Sequence, residues 1–176
     1  WPRSAPSSTP TERHRRTATH FIRPGDRPTM AQVCLLGEPG SELRYELLSR
    51  ETAREALSTY DLREPYANSL ALDTVSIGAA VSLLNDLNWY LVRFVRAALV
   101  QADSVSETEW LSRELAAAIR DGDVDPADTG EFLKLYGVDD GRPENPAYVE
   151  REGEWTPERE GYDEVLVVRV TEAEFE

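Results

Sequence analysis

The run VSIGAAVSLLNDLNWYLVRFVRAALV, residues 75–100, is the most hydrophobic part of the chain, and its reading decides the fold. It has no proline and few breakers, so the pattern predicts one long helix. On a helical wheel centred on Ser82, Gly78, Asn85, Asp86, Trp89, Arg93, Arg96 and Val100 all fall within about 60° of that residue. Nearly everything else on the helix is apolar, and an arc that wide predicts burial on several sides, by a sheet, by other helices or by a second subunit. Asn88 stands apart on the apolar arc, where an amide without partners would cost about 1 to 3 kcal/mol.

Outward from this run, the N-terminal AQVCLLGEPGSELRYELLS offers two readings. Gly37, Gly40 and Ser41 suit a strand entering a helix, but Leu43, Tyr45 and Leu47 alternate with Arg44 and Glu46 at strand spacing. The alternation predicts a β-hairpin closed by GEPGS. A phosphate loop is disfavoured because the glycine spacing matches no nucleotide fingerprint and Pro39 removes an amide. Beyond Ser49 as N-cap, Ala53, Ala56, Leu57 and Tyr60 recur at helical spacing. LALDTVS fits either a strand or the lead into the next helix. Ser106 and Glu109 have capping-box spacing and predict a helix running to about Arg120. A shorter helix is expected to end before Gly137, then an exposed acidic loop over 137–161, and DEVLVVRV (163–170) should return as a strand against the hairpin. The expectation is an α+β fold: a small antiparallel sheet (N-terminal β-hairpin plus C-terminal strand) packed against three or four helices with one long central helix.

Composition separates two regions. Residues 1–29 hold six of the 19 basic side chains, only two of the 33 acidic ones and five prolines, together with both histidines. Such a segment has too little apolar surface to offset its ordering entropy, so it reads as a disordered or upstream non-native extension before Met30. Residues 30–176 read as a single globular domain with 13 basic against 31 acidic groups, a formal charge of −18. Lys134 is the one lysine of the chain. Acid spread along the whole length fits a cytoplasm at molar salt, where counterions screen self-repulsion. No membrane partner is expected, since Asp86, Arg93 and Arg96 make the apolar run costly to insert. Nucleic acid is an unlikely partner without a basic stripe.

With no histidine beyond His20, Ser-His and Cys-His nucleophiles and histidine-ligated zinc are missing from this domain. Cys34 sits alone in an apolar run, where burial would leave it inert. Two candidate sites remain. Asn85, Asp86, Trp89, Arg93 and Arg96 form a polar stripe that could hold a ligand or partner, or be a surface ladder with Arg93 over the indole. Asp121, Asp123 and Asp125 match the first, third and fifth positions of a calcium loop, but Pro126 and Phe132 stand where glycine and a bidentate carboxylate belong. Asp125, Pro126 and Asp128 equally make a helix start.

The stretch GEPGSELRYELLSRETAREALSTYDLREP, followed by SLLNDLNWYLVRFVR, TEWLSREL and DTGEFLKLYGV, resembles an uncharacterised haloarchaeal protein family, a domain of unknown function. The resemblance supports the halophile reading and implies no activity. The function expected is therefore that of a non-catalytic cytoplasmic binding or assembly protein, a homodimer or a binder of a protein or small polar ligand, with no cofactor. The alternative is a small carboxylate-based, metal-assisted hydrolase.

Overall fold

A computed structural model describes residues 30–176; the expectation for residues 1–29 lies outside them. In chain order the elements are β1 (Ala31–Gly37), α1 (Leu43–Leu48), α2 (Glu51–Leu57), β2 (Ser69–Thr74), α3 (Ile77–Asp86), α4 (Asn88–Phe94), β3 (Val95–Ala102), β4 (Trp110–Ser112), α5 (Arg113–Arg120), β5 (Phe132–Asp139), β6 (Arg142–Glu150), β7 (Glu164–Arg169) and α6 (Glu172–Phe175), with a 3-10 turn at Pro126–Asp128. The strands form one seven-stranded sheet of order β2-β1-β3-β4-β7-β5-β6. All neighbours are antiparallel except β4 and β7.

This corrects the expected small sheet with one long central helix. The 75–100 run divides into two helices and a strand. Leu87, at φ −95° and ψ 6°, ends α3, and Val95, at φ −121° and ψ 127°, turns the chain into β3. VRAALVQA is apolar on both faces, so it satisfies a helical and a strand pattern equally. Pairing decides between them: β3 runs along β1 from Ala31↔Ala102 to Gly37↔Val95. Buried on both faces, β1 needs a neighbour on each side to satisfy its amides and carbonyls.

The N-terminal hairpin is also corrected. Residues 43–48 are helical, with Leu43 and Leu47 buried one turn apart and Tyr45 exposed. A spacing of i, i+2, i+4 supplied both patterns, and Asn68 favours the helix: its Oδ1 accepts from the Leu43 amide at 2.8 Å while its Nδ2 donates to the Glu38 carbonyl. Ser49 closes α1 instead of opening α2. Asn68 also explains Gly37. A Cβ there would lie 2.7 Å from the Asn68 amide nitrogen and 3.0 Å from its carbonyl oxygen. Gly37→Ala is expected to cost about 2 kcal/mol by overpacking, read as a lower denaturant midpoint at unchanged slope.

Three further expectations change. The helix of TEWLSREL starts at Arg113 under the Ser112 hydroxyl, and Ser106 caps only a turn. The helix expected before Gly137 is β5, and residues 142–150 of the expected loop are β6, leaving residues 151–163 as the connection. The C-terminal strand pairs with β4 and β5, not with the N-terminal segment. LALDTVS resolves as β2.

The strands obey a period of two. Val33, Leu35, Leu70, Leu72, Val100 and Leu111 face the main helices, whereas Cys34, Leu36, Leu99, Trp110, Tyr136 and Val168 face the other way. Along the β5–β7 half, Leu133, Leu135 and Val167 are covered by Val149 and Trp155. The second face is enclosed by curvature of the sheet itself. β4 is three residues long and meets each neighbour at two positions, which makes a hinge. Across it the two ends approach: the Ala67 amide donates to the Gly141 carbonyl, and Arg96 of β3 donates to the Pro143 carbonyl of β6. Prolines 143 and 146 lie in edge strand β6, while the bridge Arg63↔Ala71 shields β2, so neither edge invites strand addition.

Candidate site: a carboxyl and lysine cleft at the mouth of the curled sheet

The structure does not bring the five residues of the stripe read from the 75–100 run to one place. Trp89 is half-exposed on α4, and Arg93 lies over its ring at 3.7 Å from the centroid, its Nη1 donating to the Trp89 carbonyl. This is the surface ladder. Asn85 and Asn88, which the wheel separates, are brought together by the break at Leu87. Arg113 donates to Asn88 Oδ1 at 2.9 Å and to Asn85 Oδ1 at 3.1 Å, so Asn88 is exposed and partnered rather than buried. Asp86 is exposed at the end of α3. Arg96 alone of the five turns inward from β3, 5.6 Å from the Tyr136 ring centroid.

The aspartates of the calcium-loop reading are used locally. Asp121 pairs with Arg120 at 2.9 Å, and Asp125 Oδ1 caps the Pro126–Asp128 turn by accepting from the Ala127 amide. Among the described residues no three His, Cys, Asp or Glu side chains stand together as a metal site. Cys34 is fully buried, and burial pushes its thiol up to about 12 against the opposing pull of Arg63, so it remains a neutral core group.

A different constellation comes together where the concave face opens. A cavity of about 280 Å³ lies between the start of β3, the β4–α5 junction, β5 and α6. Its polar walls are Arg96, Ser112, Arg113, Glu114, Lys134, Tyr136 and Glu174, over an apolar floor of Leu99, Val168 and Val170. Local rules place each group. Ser112 must stand at the end of β4 because its Oγ caps α5, accepting from the Leu115 amide at 3.1 Å. The same hydroxyl donates to Glu174 Oε2 at 2.7 Å. Glu174 is fixed in turn by a capping box at α6, accepting from the Thr171 amide at 2.7 Å while Thr171 Oγ1 accepts from the Glu174 amide.

Glu114, in the first turn of α5, faces Glu174. The hydrogen bond between the two carboxyls, then burial and the Glu174 charge, push Glu114 up to about 7 against the opposing Arg113 and Lys134. The pair therefore holds one proton near neutrality, the usual result when two carboxyls occupy one site. Lys134 lines the same cavity, half-buried, with its Nζ 5.2 Å from the Tyr136 ring centroid and 5.6 Å from that of Tyr148. Burial alone would lower its ammonium, but the Tyr136 and Tyr148 hydroxyls more than offset this and hold it above its ordinary value. Lys134 is thus a permanent cation and a poor nucleophile. An apolar floor, a proton-sharing carboxyl pair and a fixed ammonium form a concave place of convergent polar groups.

A wider groove of about 920 Å³ lies along GEPGS and α1. Several of its polar groups are engaged with each other or with the backbone, Arg44 with Glu64 and Asn68 with Glu38 and Leu43.

A sequence model of a family of unknown function, DUF5804, matches residues 31–138. The chain belongs to that family. The DUF5804 match spans β1 through nearly all of β5 and so contains Arg96, Ser112, Glu114, Lys134 and Tyr136, while Glu174 lies beyond it. No curated protein and no solved structure matches the chain significantly. Among the described residues no helix is long and apolar enough to cross a membrane.

Proposed function

We propose that this protein is a non-catalytic binding protein of a high-salt cytoplasm, and that the cleft holding Glu114, Lys134 and Glu174 takes a small zwitterionic ligand of free amino-acid size. One observation carries this reading: the chain's single lysine, Lys134, and the two carboxyls of Glu114 and Glu174 line the same cavity of about 280 Å³. A ligand ammonium can replace the shared proton between the carboxyls, while a ligand carboxylate meets Lys134. The volume lies at the small end of ligand cavities, which suits an amino acid better than a nucleotide. The acidic surface supports a salt-rich cytoplasm, since −18 over residues 30–176 is best tolerated where counterions are dense.

Calorimetric titration in multimolar KCl tests the proposal, with the common free L-amino acids supplied one at a time. At least one should bind with uptake or release of protons that varies with buffer, and Lys134→Met should weaken it by at least about tenfold. Binding unchanged in Lys134→Met would remove the cleft from consideration.

Assembly is a second reading, favoured by Val92 at 67% and Trp89 at 50% exposure on α4. A homodimer through that face should scatter light at twice the monomer mass in multimolar KCl, and Val92→Glu should halve it. A monomer mass for the parent ends this reading. The metal-assisted hydrolase has no comparable support, because among the described residues no three His, Cys, Asp or Glu side chains stand together.

A further inference from the structure

The walls of the cleft reverse the charge balance of the domain around it. Residues 30–176 carry 31 acidic side chains against 13 basic ones, yet the charged groups lining this cavity are Arg96, Arg113 and Lys134 against Glu114 and Glu174. Three cations against two carboxylates leave a formal charge of +1, in a domain of −18. None of the three forms an ion pair. Among the described residues the ion pairs are made by six other arginines.

The acceptors these cations do have are neutral. Arg113 donates to Asn85 Oδ1, to Asn88 Oδ1 and to the Leu84 carbonyl, which occupies its guanidinium on α3 and α4. Arg96 donates through Nη2 to the Pro143 carbonyl, and a guanidinium carries several further N–H groups. Arg96 and Lys134 also share one support. The Arg96 Cζ lies 5.6 Å and the Lys134 Nζ 5.2 Å from the centroid of the buried Tyr136 ring. A neutral ring attracts both cations but supplies no countercharge.

Resting on the amino-acid reading of this cleft, we propose that its ligand is a dicarboxylic amino acid, of the aspartate or glutamate class, whose second carboxylate is taken by Arg96. The zwitterionic part of such a ligand uses Glu114 and Glu174 for its ammonium and Lys134 for its first carboxylate. Arg96 is then the cation left without an anion. Its planar fork suits the purpose, because it can meet both oxygens of one carboxylate. A neutral side chain in the same place would displace water from guanidinium donors and leave their charge unmatched. Multimolar salt screens long-range attraction, so the selection comes from this short contact inside a partly enclosed cleft. The choice of side chain can fail while the binding of an amino acid stands.

Calorimetric titration of the full chain in multimolar KCl tests it with matched pairs, L-glutamate against L-glutamine and L-aspartate against L-asparagine, and with L-leucine as an apolar control. Each pair is nearly equal in size and differs in one charge. At least one acid should bind about tenfold or more tightly than its amide and than leucine. In Arg96→Met that ratio should fall to near one, with near-ultraviolet dichroism of the tryptophans verifying the fold, since Arg96 also ties β3 to β6. Arg96→Lys keeps the charge without the fork and should give an intermediate ratio. Amides or leucine bound as tightly as the acids by the parent overturn the dicarboxylic class and leave the amino-acid reading standing. An acid preference undiminished in both folded variants overturns the role given to Arg96. Binding of no amino acid at all removes both readings together.

Discussion

Leu111→Ala is expected to lower the unfolding free energy by about 3 to 5 kcal/mol, the upper part of the range for a buried leucine. Leu111 is completely buried and sits at the middle of β4, which joins the two halves of the sheet through three residues. It packs into the helix-covered core while its backbone pairs with Val100 of β3 and Arg169 of β7. Neighbouring strands cannot collapse into the space left by the truncation without shifting those pairings. Equilibrium urea unfolding of the two proteins measures the difference. A loss under about 1 kcal/mol would mean that the hinge does not carry the packing assigned to it.

The second large effect is expected at Glu109, immediately before β4. Its Oε1 accepts from Arg169 Nε and its Oε2 from Arg151 Nη2, both at 2.7 Å. The side chains are 17%, 14% and 26% exposed, so this is a largely desolvated cluster and not a surface pair. Arg169 also donates to Thr129, and Arg151 lies 5.2 Å from the Trp155 ring centroid. One carboxylate therefore ties β7, the turn before β5 and the 151–163 segment to the hinge. Glu109→Ala leaves two guanidiniums without their anion, at a cost of about 3 kcal/mol. Burial alone would raise the Glu109 carboxyl, but the hydrogen bonds and charges of Arg169 and Arg151 more than offset it and hold it below 4.5. Its contribution to stability is full above the ordinary 4.5 and is lost as pH falls through the lower native value. The parent should therefore lose more stability than Glu109→Gln on acidification, and parallel acid titrations of the two would contradict the assignment.

The residues that could be read correctly in isolation were those whose local chemistry has one outcome. Ala53 and Leu57 mark α2 by helical spacing, DEVLVVRV is β-branched and becomes β7, and Asp125 before Pro126 starts a turn. The errors fall where apolar residues occur on both faces of a segment, whichever period is read. VRAALVQA fits a helix and a strand equally, and only β1, more than fifty residues upstream, makes it β3. KLYGV likewise becomes strand because β6 and β7 flank it. A wheel drawn across Leu87 then joins side chains that the chain separates, which is why Arg96 reaches the cleft while Trp89 and Arg93 remain on the surface.

The cleft was less legible for a related reason. Ser112, Glu114, Lys134 and Glu174 come from three segments that meet only after the sheet curls. Two signals were present: Lys134 as the one lysine in a chain that otherwise uses arginine, and Thr171-Glu-Ala-Glu174, whose spacing is that of a capping box. Neither says that Ser112 would meet Glu174, because that contact spans 62 residues.

The most direct measurement is amide chemical-shift mapping of the full chain in multimolar KCl, with the free amino acid that binds in calorimetry added stepwise. Shifts centred on Ser112, Glu114, Lys134 and Tyr136, and abolished in Lys134→Met, are the result expected. Shifts confined to residues 39–49 along the open groove, or none at any of the cleft amides, would contradict the assignment of this cleft as the binding site.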